Sequence, residues 1–299
     1  MNLDQKYLYT IGCNVLINEP MSAHTTFKIG GKAPYFIIPK TKNVFIEVLK
    51  YLSNNTIPFR IIGGGANLII KDEELDFVVV STEYLTGYKF DGEILYAEVG
   101  IPFSRLSYLA MENNLSGLEF AAGIPGSLGG ALFMNAGAYG GQISDVVEEV
   151  EVFDLNEKKN INLRKEQLSF DYRKSIFQKR RYISLSAKLK LFRNKREKIE
   201  EKIKEFSIRR WEKQPLEYPS AGSIFKRPKP DFYVGTTIEK LGLKGCSVGD
   251  AEVSKKHAGF IINKGNAKFK EVFKLIEYIK DVVRKKYNID LEVEPEIWE

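Results

Sequence analysis

The sequence predicts a protein of mixed helices and strands, arranged in two or three closely packed lobes. A chain of 299 residues is long for a single hydrophobic core and short for three independent domains. Apolar and polar residues alternate over residues 147–153 and 182–191, as they do in half-buried antiparallel strands. Apolar residues recur at three- and four-residue spacing over residues 43–54 and 268–287, which predicts amphipathic helices.

The other elements follow from local signals. Residues 1–20 are expected to form a lead-in helix or an irregular arm, and residues 35–39, 59–62, 77–80, 88–90 and 94–99 read as strands. Residues 102–114 form a helix with proline near its first turn. Residues 194–213 are a charged helix that bridges to a second domain, and the chain closes on a strand-like segment at 291–297. The apolar stripe of the charged helix is Ile199, Ile203, Phe206 and Trp211, and that of the helix at 268–287 is Phe269, Val272, Phe273, Ile276, Ile279 and Val283.

The most distinctive stretch is glycine-rich and runs from Gly117 to Asp145. It carries no charge between Glu119 and Asp145. Seven glycines and a proline interrupt this uncharged run, which argues against a membrane span. Its pattern Gly123-x-x-Gly126-x-x-Gly129-Gly130 can present successive backbone N–H groups to an anion such as phosphate. A set of tight turns packed on a sheet explains the same glycines equally well.

A second glycine turn, at residues 63–68, directly follows a predicted strand. It is another candidate for phosphate binding. The dinucleotide fingerprint needs a third glycine that opens a helix, but Leu68 occupies that place and the next residues favour a strand. No Gly-Lys-Ser or Gly-Lys-Thr occurs, so the P-loop is excluded as well. A doubly wound dinucleotide-binding domain is therefore not expected.

Composition narrows the class of protein only slightly. The hydrophobic content of 43% is that of an ordinary globular protein, and the formal net charge of +6 would suit an anionic partner. Many of the basic residues lie in the predicted helices, where a solvated face explains them. Cys13 and Cys246 show neither metal spacing nor a disulfide framework, and no metal site is expected. Asp4 and Gln5 precede any apolar run, so a cytoplasmic protein without a signal peptide is expected.

Taken together, these stretches resemble the UDP-N-acetylenolpyruvoylglucosamine reductase family over nearly the whole chain. Each motif alone is weak, but the ordered set is specific. The motifs, in the order of that family, are Thr25-Thr26-Phe27 with Gly30-Gly31, residues 63–68, residues 123–130 with 135–140, residues 172–177, residues 221–226, residues 253–258 and Glu294-Pro295-Glu296.

The resemblance implies an α+β fold. It consists of a two-lobed FAD-binding domain of the vanillyl-alcohol-oxidase type, followed by an α+β substrate-binding domain. On this chain we expect an N-terminal arm at 1–20, an FAD-binding domain at 21–193 with lobes at 21–82 and 83–193, and a C-terminal domain at 194–299. So short a C-terminal domain is typical of the shorter branch of the family.

The resemblance also implies a reaction in peptidoglycan precursor synthesis. NADPH reduces a noncovalently bound FAD, and the hydride then passes to UDP-N-acetylglucosamine enolpyruvate, which becomes UDP-N-acetylmuramate. The partners are therefore small molecules, with no nucleic acid and no membrane insertion. Because the family holds FAD noncovalently, His24 is not expected to be a flavin attachment site, and His257 is expected to be structural.

The family's catalytic residues match Arg173, Ser223 and Glu296. Arg173 would stabilise the developing enolate, and Ser223 would protonate it. Glu296, near the same carboxylate, has to be protonated or paired with a cation because two bare carboxylates repel. Tyr172 and Lys226 are expected to bind substrate, with Lys226 as a cationic neighbour of Ser223.

The FAD contacts implied by the resemblance come from the two glycine turns and the segment after the second. The chain departs from the family at Ala66, where serine is usual, and at Arg227, where asparagine is common. Residues 234–239 are also a looser match. The expected cofactor-binding residues are Gly63, Gly64, Gly65, Ala66, Asn67, Leu68, Gly123, Ile124, Pro125, Gly126, Ser127, Gly129, Gly130, Asn135, Ala136, Gly137, Ala138 and Tyr139.

Two other functions are compatible with parts of the pattern. A different flavin-dependent oxidase or dehydrogenase on the same fold would share the glycine turns, and reoxidation by oxygen would reveal it. A protein that holds nucleotide or RNA without chemistry would use the same turns and the basic charge, although no aromatic-rich RNA motif supports it. A colourless protein that takes up no FAD would favour this second alternative.

Overall fold

The structure, a computed structural model, describes residues 3–179 and 181–299. Both helices and strands are present along its whole length. In chain order the elements are α1 (Gln5–Ile11), β1 (Cys13–Pro20), β2 (Lys32–Pro39), α2 (Lys42–Asn54), β3 (Phe59–Ile62), β4 (Leu68–Ile70), β5 (Val78–Ser81), β6 (Tyr88–Asp91), β7 (Ile94–Glu98), α3 (Phe103–Glu112), β8 (Leu115–Ser116), α4 (Leu128–Met134), β9 (Gly137–Ala138), β10 (Gly141–Gln142), β11 (Val147–Asp154), β12 (Lys159–Arg164), β13 (Tyr182–Lys190), β14 (Phe192–Arg193), α5 (Arg196–Lys213), β15 (Ser220–Ser223), α6 (Val234–Lys240), β16 (Ser247–Val248), β17 (Ala251–Val253), β18 (Phe260–Asn263), α7 (Phe269–Tyr287) and β19 (Glu296–Trp298).

Contacts between residues divide the chain into two units. The first unit comprises residues up to 17, 35–64 and 76–209, and the second comprises 18–34, 65–75 and 210–299. The second unit thus takes two segments from the N-terminal quarter of the chain. The domain boundaries expected from the sequence follow the chain without such interleaving and stay a prediction.

Two sheets form the framework of the first unit. The last residues of β1 and the first residues of β2 belong to the second unit. One has the strand order β1-β2-β5-β3, in which β2 and β3 pair with β5 in parallel. The other has the order β12-β11-β13-β7-β6 and is antiparallel throughout. The expected antiparallel strands at 147–153 and 182–191 are confirmed, because β11 and β13 pair with each other over most of their length.

Helix α2 packs on this framework with the face that the sequence predicts. Its N-terminus is capped by Thr41, whose hydroxyl accepts from the backbone N–H of Val44 at 3.2 Å. Its apolar side chains at three- and four-residue spacing are buried, and they join the core of the first unit. These buried residues are Phe45, Ile46, Val48, Leu49 and Leu52.

The second unit contains an antiparallel sheet of order β15-β18-β17-β16 and a separate parallel pair, β4 and β19. Helix α7 supplies much of the core of this unit. Its buried face includes Leu275, whereas Phe273, which we expect on that face, is 37% exposed and stacks on Phe269 instead. Phe269 and Phe273 are four residues apart and are therefore neighbours on the helix surface. Leu275 lies three residues after Val272, on the buried face.

Three expectations about local structure are wrong. Residues 13–20 form strand β1 rather than a helix or an irregular arm. The glycine-rich stretch contains a short helix, α4, where the sequence indicates only loops. Trp211 is 70% exposed and does not belong to the buried stripe of α5, in which Ile199 and Ile203 are 1% and 3% exposed. Within residues 3–179 and 181–299, no helix combines the length and the apolar character needed to cross a bilayer.

Candidate functional site

The two glycine turns that are expected to bind phosphate touch each other in the first unit. A Cβ atom added to Gly63 would lie 2.2 Å from Ser127 Oγ. One added to Gly64 would lie 2.7 Å from the Cα of Gly126. Both distances are far below van der Waals contact, and at Gly64 the close neighbour is backbone, so the two backbones approach there in a way that only glycine allows. From the sequence, each turn is a separate candidate for phosphate binding. In the structure, the two turns lie side by side.

Several N–H groups of the second turn already have protein acceptors. Those of Leu128 and Gly129 donate to the carbonyls of Ile101 and Val99 at 3.0 and 2.8 Å. That of Gly130 donates to Ser127 Oγ at 3.3 Å, as the N-cap bond of α4. These bonds fix the turn on the framework.

Asn135, at the end of α4, is a structural tie between distant segments. It is buried and adopts a left-handed backbone conformation with φ of 43°. Its amide Nδ2 donates to Asp171 O at 3.0 Å and to Gln142 Oε1 at 3.2 Å, while its Oδ1 accepts from the N–H of Ser144 at 3.2 Å. Both Nδ2 hydrogens of Asn135 are therefore used within the protein.

Arg173 lies in a tight turn that Asn135 helps to hold. The backbones of Asp171 and Lys174 exchange hydrogen bonds at 3.2 and 3.0 Å, which closes the turn around Tyr172 and Arg173. Arg173 has φ of 55°, a left-handed conformation that is uncommon for a residue with a side chain. Its guanidinium lies 5.2 Å from the ring centre of Tyr172 and donates to Gly137 O at 3.3 Å. The structure thus brings the expected catalytic arginine to the expected cofactor segment 135–139.

The tip of that segment rests on helix α5. Tyr139 and Gly140 are the two central residues of the β9–β10 hairpin, and both have positive φ, at 55° and 87°. The ring of Tyr139 stacks on Phe206 with centroids 4.7 Å apart and planes inclined by 8°. This contact was not predicted, and it explains why Phe206 belongs to the apolar stripe of a highly charged helix.

In the second unit, the third glycine of the first turn packs against the segment of Thr25 and Thr26. Gly65 has φ of +60°, and a Cβ on it would lie 1.9 Å from His24 O. Its carbonyl accepts from the N–H of Thr26 at 3.1 Å, and the Thr26 hydroxyl donates to Ser220 O at 2.7 Å. Thr26 therefore supports the glycine turn through its backbone N–H.

Glu296 is tied to the end of the same turn. Strand β19 pairs in parallel with β4, so that Glu296 lies opposite Leu68. The N–H of Glu296 donates to Asn67 O at 2.9 Å, and Asn67 Nδ2 donates to Glu294 O at 3.3 Å. An expected catalytic carboxylate and the expected cofactor residues Asn67 and Leu68 thus share one small sheet.

Ser223 reaches the same region through a second pairing. It ends β15, after Gly222 with φ of 79°, and the pairing of β15 with β18 shifts register there. The next residue, Ile224, accepts from the N–H of Glu294 at 2.8 Å. The chain around Ser223 therefore runs beside the chain that leads into Glu296, and both residues belong to the second unit.

Lys226 is engaged by a partner that the sequence does not indicate. Its ammonium, 15% exposed, forms an ion pair of 2.5 Å with Glu292, and its backbone N–H donates to Glu292 O at 2.9 Å. An ammonium with a negative partner at contact distance is a weaker attraction for substrate than a solitary one. Arg227, the departure from the family pattern, lies 4.7 Å from the ring centre of Tyr233.

His257 occupies a structural position, as expected. It lies in the turn before β18, where its Nδ1 accepts from the N–H of Gly259 at 3.1 Å. Burial lowers the pKa of His257, so the neutral ring with a proton on Nε2 is favoured near neutral pH. Within the described residues, no group of His, Cys, Asp and Glu side chains is arranged to hold a metal ion.

These residues fit a cofactor that carries a diphosphate. The Gly63–Gly64 turn and the Gly126 turn form a cradle that a Cβ would fill, and its N–H donors suit an anion. Ala66 offers only its backbone for this purpose. In the first unit, the residues that would hold FAD are Gly63, Gly64, the second glycine turn and the segment 135–139.

Two sequence profiles of known domains match the chain. A sequence profile described as an FAD binding domain matches residues 33–158, and one described as the C-terminal domain of UDP-N-acetylenolpyruvoylglucosamine reductase matches residues 214–298. These profiles and the mixed helix and strand content confirm the α+β class and the two kinds of domain.

Relatives match over nearly the full length of the chain. The UDP-N-acetylenolpyruvoylglucosamine reductase of Petrotoga mobilis is 56% identical over 97% of both chains, and that of Fervidobacterium nodosum is 50% identical over 99% of this chain and 97% of its own. The crystal structure of the Thermus caldophilus reductase covers 96% of this chain and 99% of its own, with a TM-score of 0.82 and 32% identity. The chain therefore belongs to the UDP-N-acetylenolpyruvoylglucosamine reductase family of oxidoreductases.

Proposed function

We propose that this protein reduces UDP-N-acetylglucosamine enolpyruvate to UDP-N-acetylmuramate, with NADPH as the hydride donor and noncovalent FAD as the cofactor. It acts in the cytoplasm on small molecules. The family assignment supports the reaction, and the FAD-binding profile at residues 33–158 supports the cofactor. Bound FAD supplies the relay of a hydride from NADPH to the terminal methylene carbon of the enolpyruvyl group.

Arg173 is the residue we assign to the substrate carboxylate. When the hydride adds to the methylene carbon, the electron pair of the double bond moves to the carbon beside the carboxylate and spreads onto its oxygens. A guanidinium held in a fixed direction stabilises such a charge without having to reorganise. The left-handed turn and the bond to Gly137 O supply that fixed direction. Tyr172, whose ring faces the Arg173 guanidinium, is placed to contact the same substrate group.

Ser223 is the residue we assign to proton transfer. Its hydroxyl gives a proton to the carbon that bears the negative charge, which completes the saturated lactyl ether. A serine hydroxyl is a weak acid, so this step is feasible only toward a strongly basic carbon. Lys226, three residues further along the chain, is the cation we assign to the substrate, and its pairing with Glu292 reduces what it contributes to stabilising the alkoxide that remains.

Glu296 is the second residue we assign to stabilising the developing charge. In its neutral form it donates a hydrogen bond to the substrate carboxylate, which gains negative charge as the hydride arrives. The observation that carries this assignment is the backbone pairing of Ile224 with Glu294, which sets the chain of Ser223 beside that of Glu296. Two groups that act on one small enolate need such proximity.

The test is an anaerobic visible spectrum of the purified protein. We expect an oxidised-flavin spectrum that bleaches on addition of NADPH and returns when UDP-N-acetylglucosamine enolpyruvate is added. If flavin is present but the sugar nucleotide does not restore the spectrum, the substrate assignment is wrong while the flavoprotein assignment stands. Restoration by oxygen alone would point to an oxidase.

A further inference from the structure

The carboxylate of Glu296 has a fixed neighbour two residues along the same strand. The indole Nε1–H of Trp298 donates to Glu296 Oε1 at 2.9 Å. Residues two apart in a strand project from the same face, so this contact follows from the strand conformation of β19. No local sequence signal marks Trp298 as a site residue.

Trp298 is held firmly enough to set the direction of another group. Its side chain is 1% exposed. Its backbone lies opposite Ile70 in the parallel pair, and its carbonyl accepts from the N–H of Lys71 at 2.9 Å. A large ring enclosed in this way has few rotamers available, so the position of its N–H is determined by packing.

We propose that Trp298 is a positioning residue for Glu296, which it orients through the indole N–H. This inference rests on the proposed function, in which Glu296 acts on the substrate carboxylate. The N–H holds Oε1 in one place and thereby sets the plane of the carboxyl group. A loosely held glutamate has to lose its rotational freedom during the reaction, and one that is already oriented does not.

An indole nitrogen donates and does not accept, so Glu296 Oε1 is the acceptor in this bond.

Trp298→Phe is the kinetic test, because phenylalanine keeps most of the buried ring and lacks the N–H. We expect NADPH to reduce the flavin at the wild-type rate and the enolpyruvyl substrate to reoxidise it about 10-fold more slowly. The matched control is Trp211→Phe, the same substitution at an exposed tryptophan, and both half-reactions of this variant should be unchanged. Melting temperature and flavin content show whether each variant is folded.

A double-mutant cycle separates orientation from general loss of structure. In a Glu296→Gln background, Trp298→Phe should have less than about a twofold further effect, because the group that it orients is already disabled. An equal slowing in both backgrounds, or no slowing in the wild-type background, would overturn the positioning role alone. If Glu296→Gln itself leaves reoxidation unchanged, the catalytic assignment of Glu296 fails and the positioning role fails with it.

A measurement without turnover tests the hydrogen bond directly. The chain has two tryptophans, so ¹⁵N-labelled protein should give two indole N–H resonances. We expect the Trp298 resonance, identified as the one that Trp211→Phe leaves in place, to move when Glu296 is changed to Gln, and the Trp211 resonance to stay. If the Trp298 resonance does not move when Glu296 is changed to Gln, the proposed contact is wrong. This outcome can be read even if Trp298→Phe does not fold.

Discussion

The N–H of Glu296 donates to the carbonyl of Asn67 at 2.9 Å, which joins the last strand of the chain to the end of the glycine turn at residues 63–68. The bond places an expected catalytic group and an expected cofactor group on one rigid element. A strand of three residues is weak alone, but its partner β4 and the buried Trp298 ring stabilise it. Displacement of the glycine turn therefore displaces the carboxylate as well.

Ser223→Ala should separate the two half-reactions. Reduction of the flavin by NADPH should be nearly unchanged, because the hydroxyl takes no part in it. Reoxidation by the enolpyruvyl substrate should slow by roughly 10²- to 10⁴-fold, the usual contribution of general acid catalysis. Stopped-flow absorbance of the flavin measures both rates, and an equal loss in both would remove Ser223 from the proton-donor role.

Gly65→Ala should destabilise the protein and release FAD. The new Cβ would lie 1.9 Å from His24 O, and the backbone has φ of +60°. The control is Gly92→Ala, with nearly the same φ of +58° and no atom within 4 Å of the new Cβ. That variant should lose only the conformational term, about 1 to 2 kcal/mol of unfolding free energy.

Thermal melting and the ratio of flavin to protein absorbance distinguish these two glycine variants. If both variants lose the same amount of stability and flavin, the positive φ explains the effect at position 65, and the close contact with His24 does not.

Asp154→Asn should reduce stability in a pH-dependent way. Asp154 is buried, and its carboxylate accepts two bonds from Arg181 Nε and one from its NH2 group. Arg181 holds the pKa of this carboxyl below its ordinary value, against the opposing effect of burial. The lowered pKa stabilises the fold fully above the unfolded-state value near pH 4, and that contribution is lost as pH falls through the lower folded value.

At pH 7 the variant should lose roughly 1.5 to 3 kcal/mol of unfolding free energy in urea titrations, and the gap to wild type should close toward about pH 2. Asp290→Asn removes an exposed partner of Arg284 and serves as the control, with a change below about 0.5 kcal/mol. A gap that is constant over the whole pH range would contradict the role of the Arg181 pair.

Phe206→Leu should loosen the hairpin that carries Tyr139. Leucine keeps an apolar side chain on α5 but cannot stack, and an aromatic pair contributes about 0.5 to 1.5 kcal/mol beyond its buried area. If residues 135–139 contact FAD as proposed, the flavin should dissociate faster, which its recovered fluorescence on release would report. Phe273→Leu, which removes a stacked ring on α7, is the control and should leave flavin release unchanged.

Much of this fold is readable from local sequence. Residues 59–62 form β3 as predicted, the glycine turn leads into a strand rather than a helix, and α7 begins one residue after its predicted start. In these places periodicity, turn residues and burial all favour the same structure. The glycine-rich helix α4 was missed because Gly129 and Gly130 lower helix propensity, while the Ser127 cap and burial of Leu128 and Leu132 overcome it.

The motifs in the sequence name candidate site residues, but they do not show how these residues are arranged. The ordered motifs name Arg173, Ser223 and Glu296, yet no local signal shows that Glu292 pairs with Lys226 or that Phe206 supports Tyr139. These contacts join residues far apart in sequence. The role of Trp298 could not be predicted either. From sequence alone, an aromatic residue at this place indicates only core packing, and the bond from its N–H to a carboxylate is seen only in the structure.

The parallel pairing of β4 with β19 has a consequence for the order of folding. The Asn67 side chain and the Glu294 carbonyl that it binds are 227 residues apart in sequence. Pairing at such separation has a large loop-closure entropy, and high contact order slows folding. Residues 65–75 therefore stay without their strand partner until the C-terminal segment is available, and a fragment of residues 210–299 alone lacks β4.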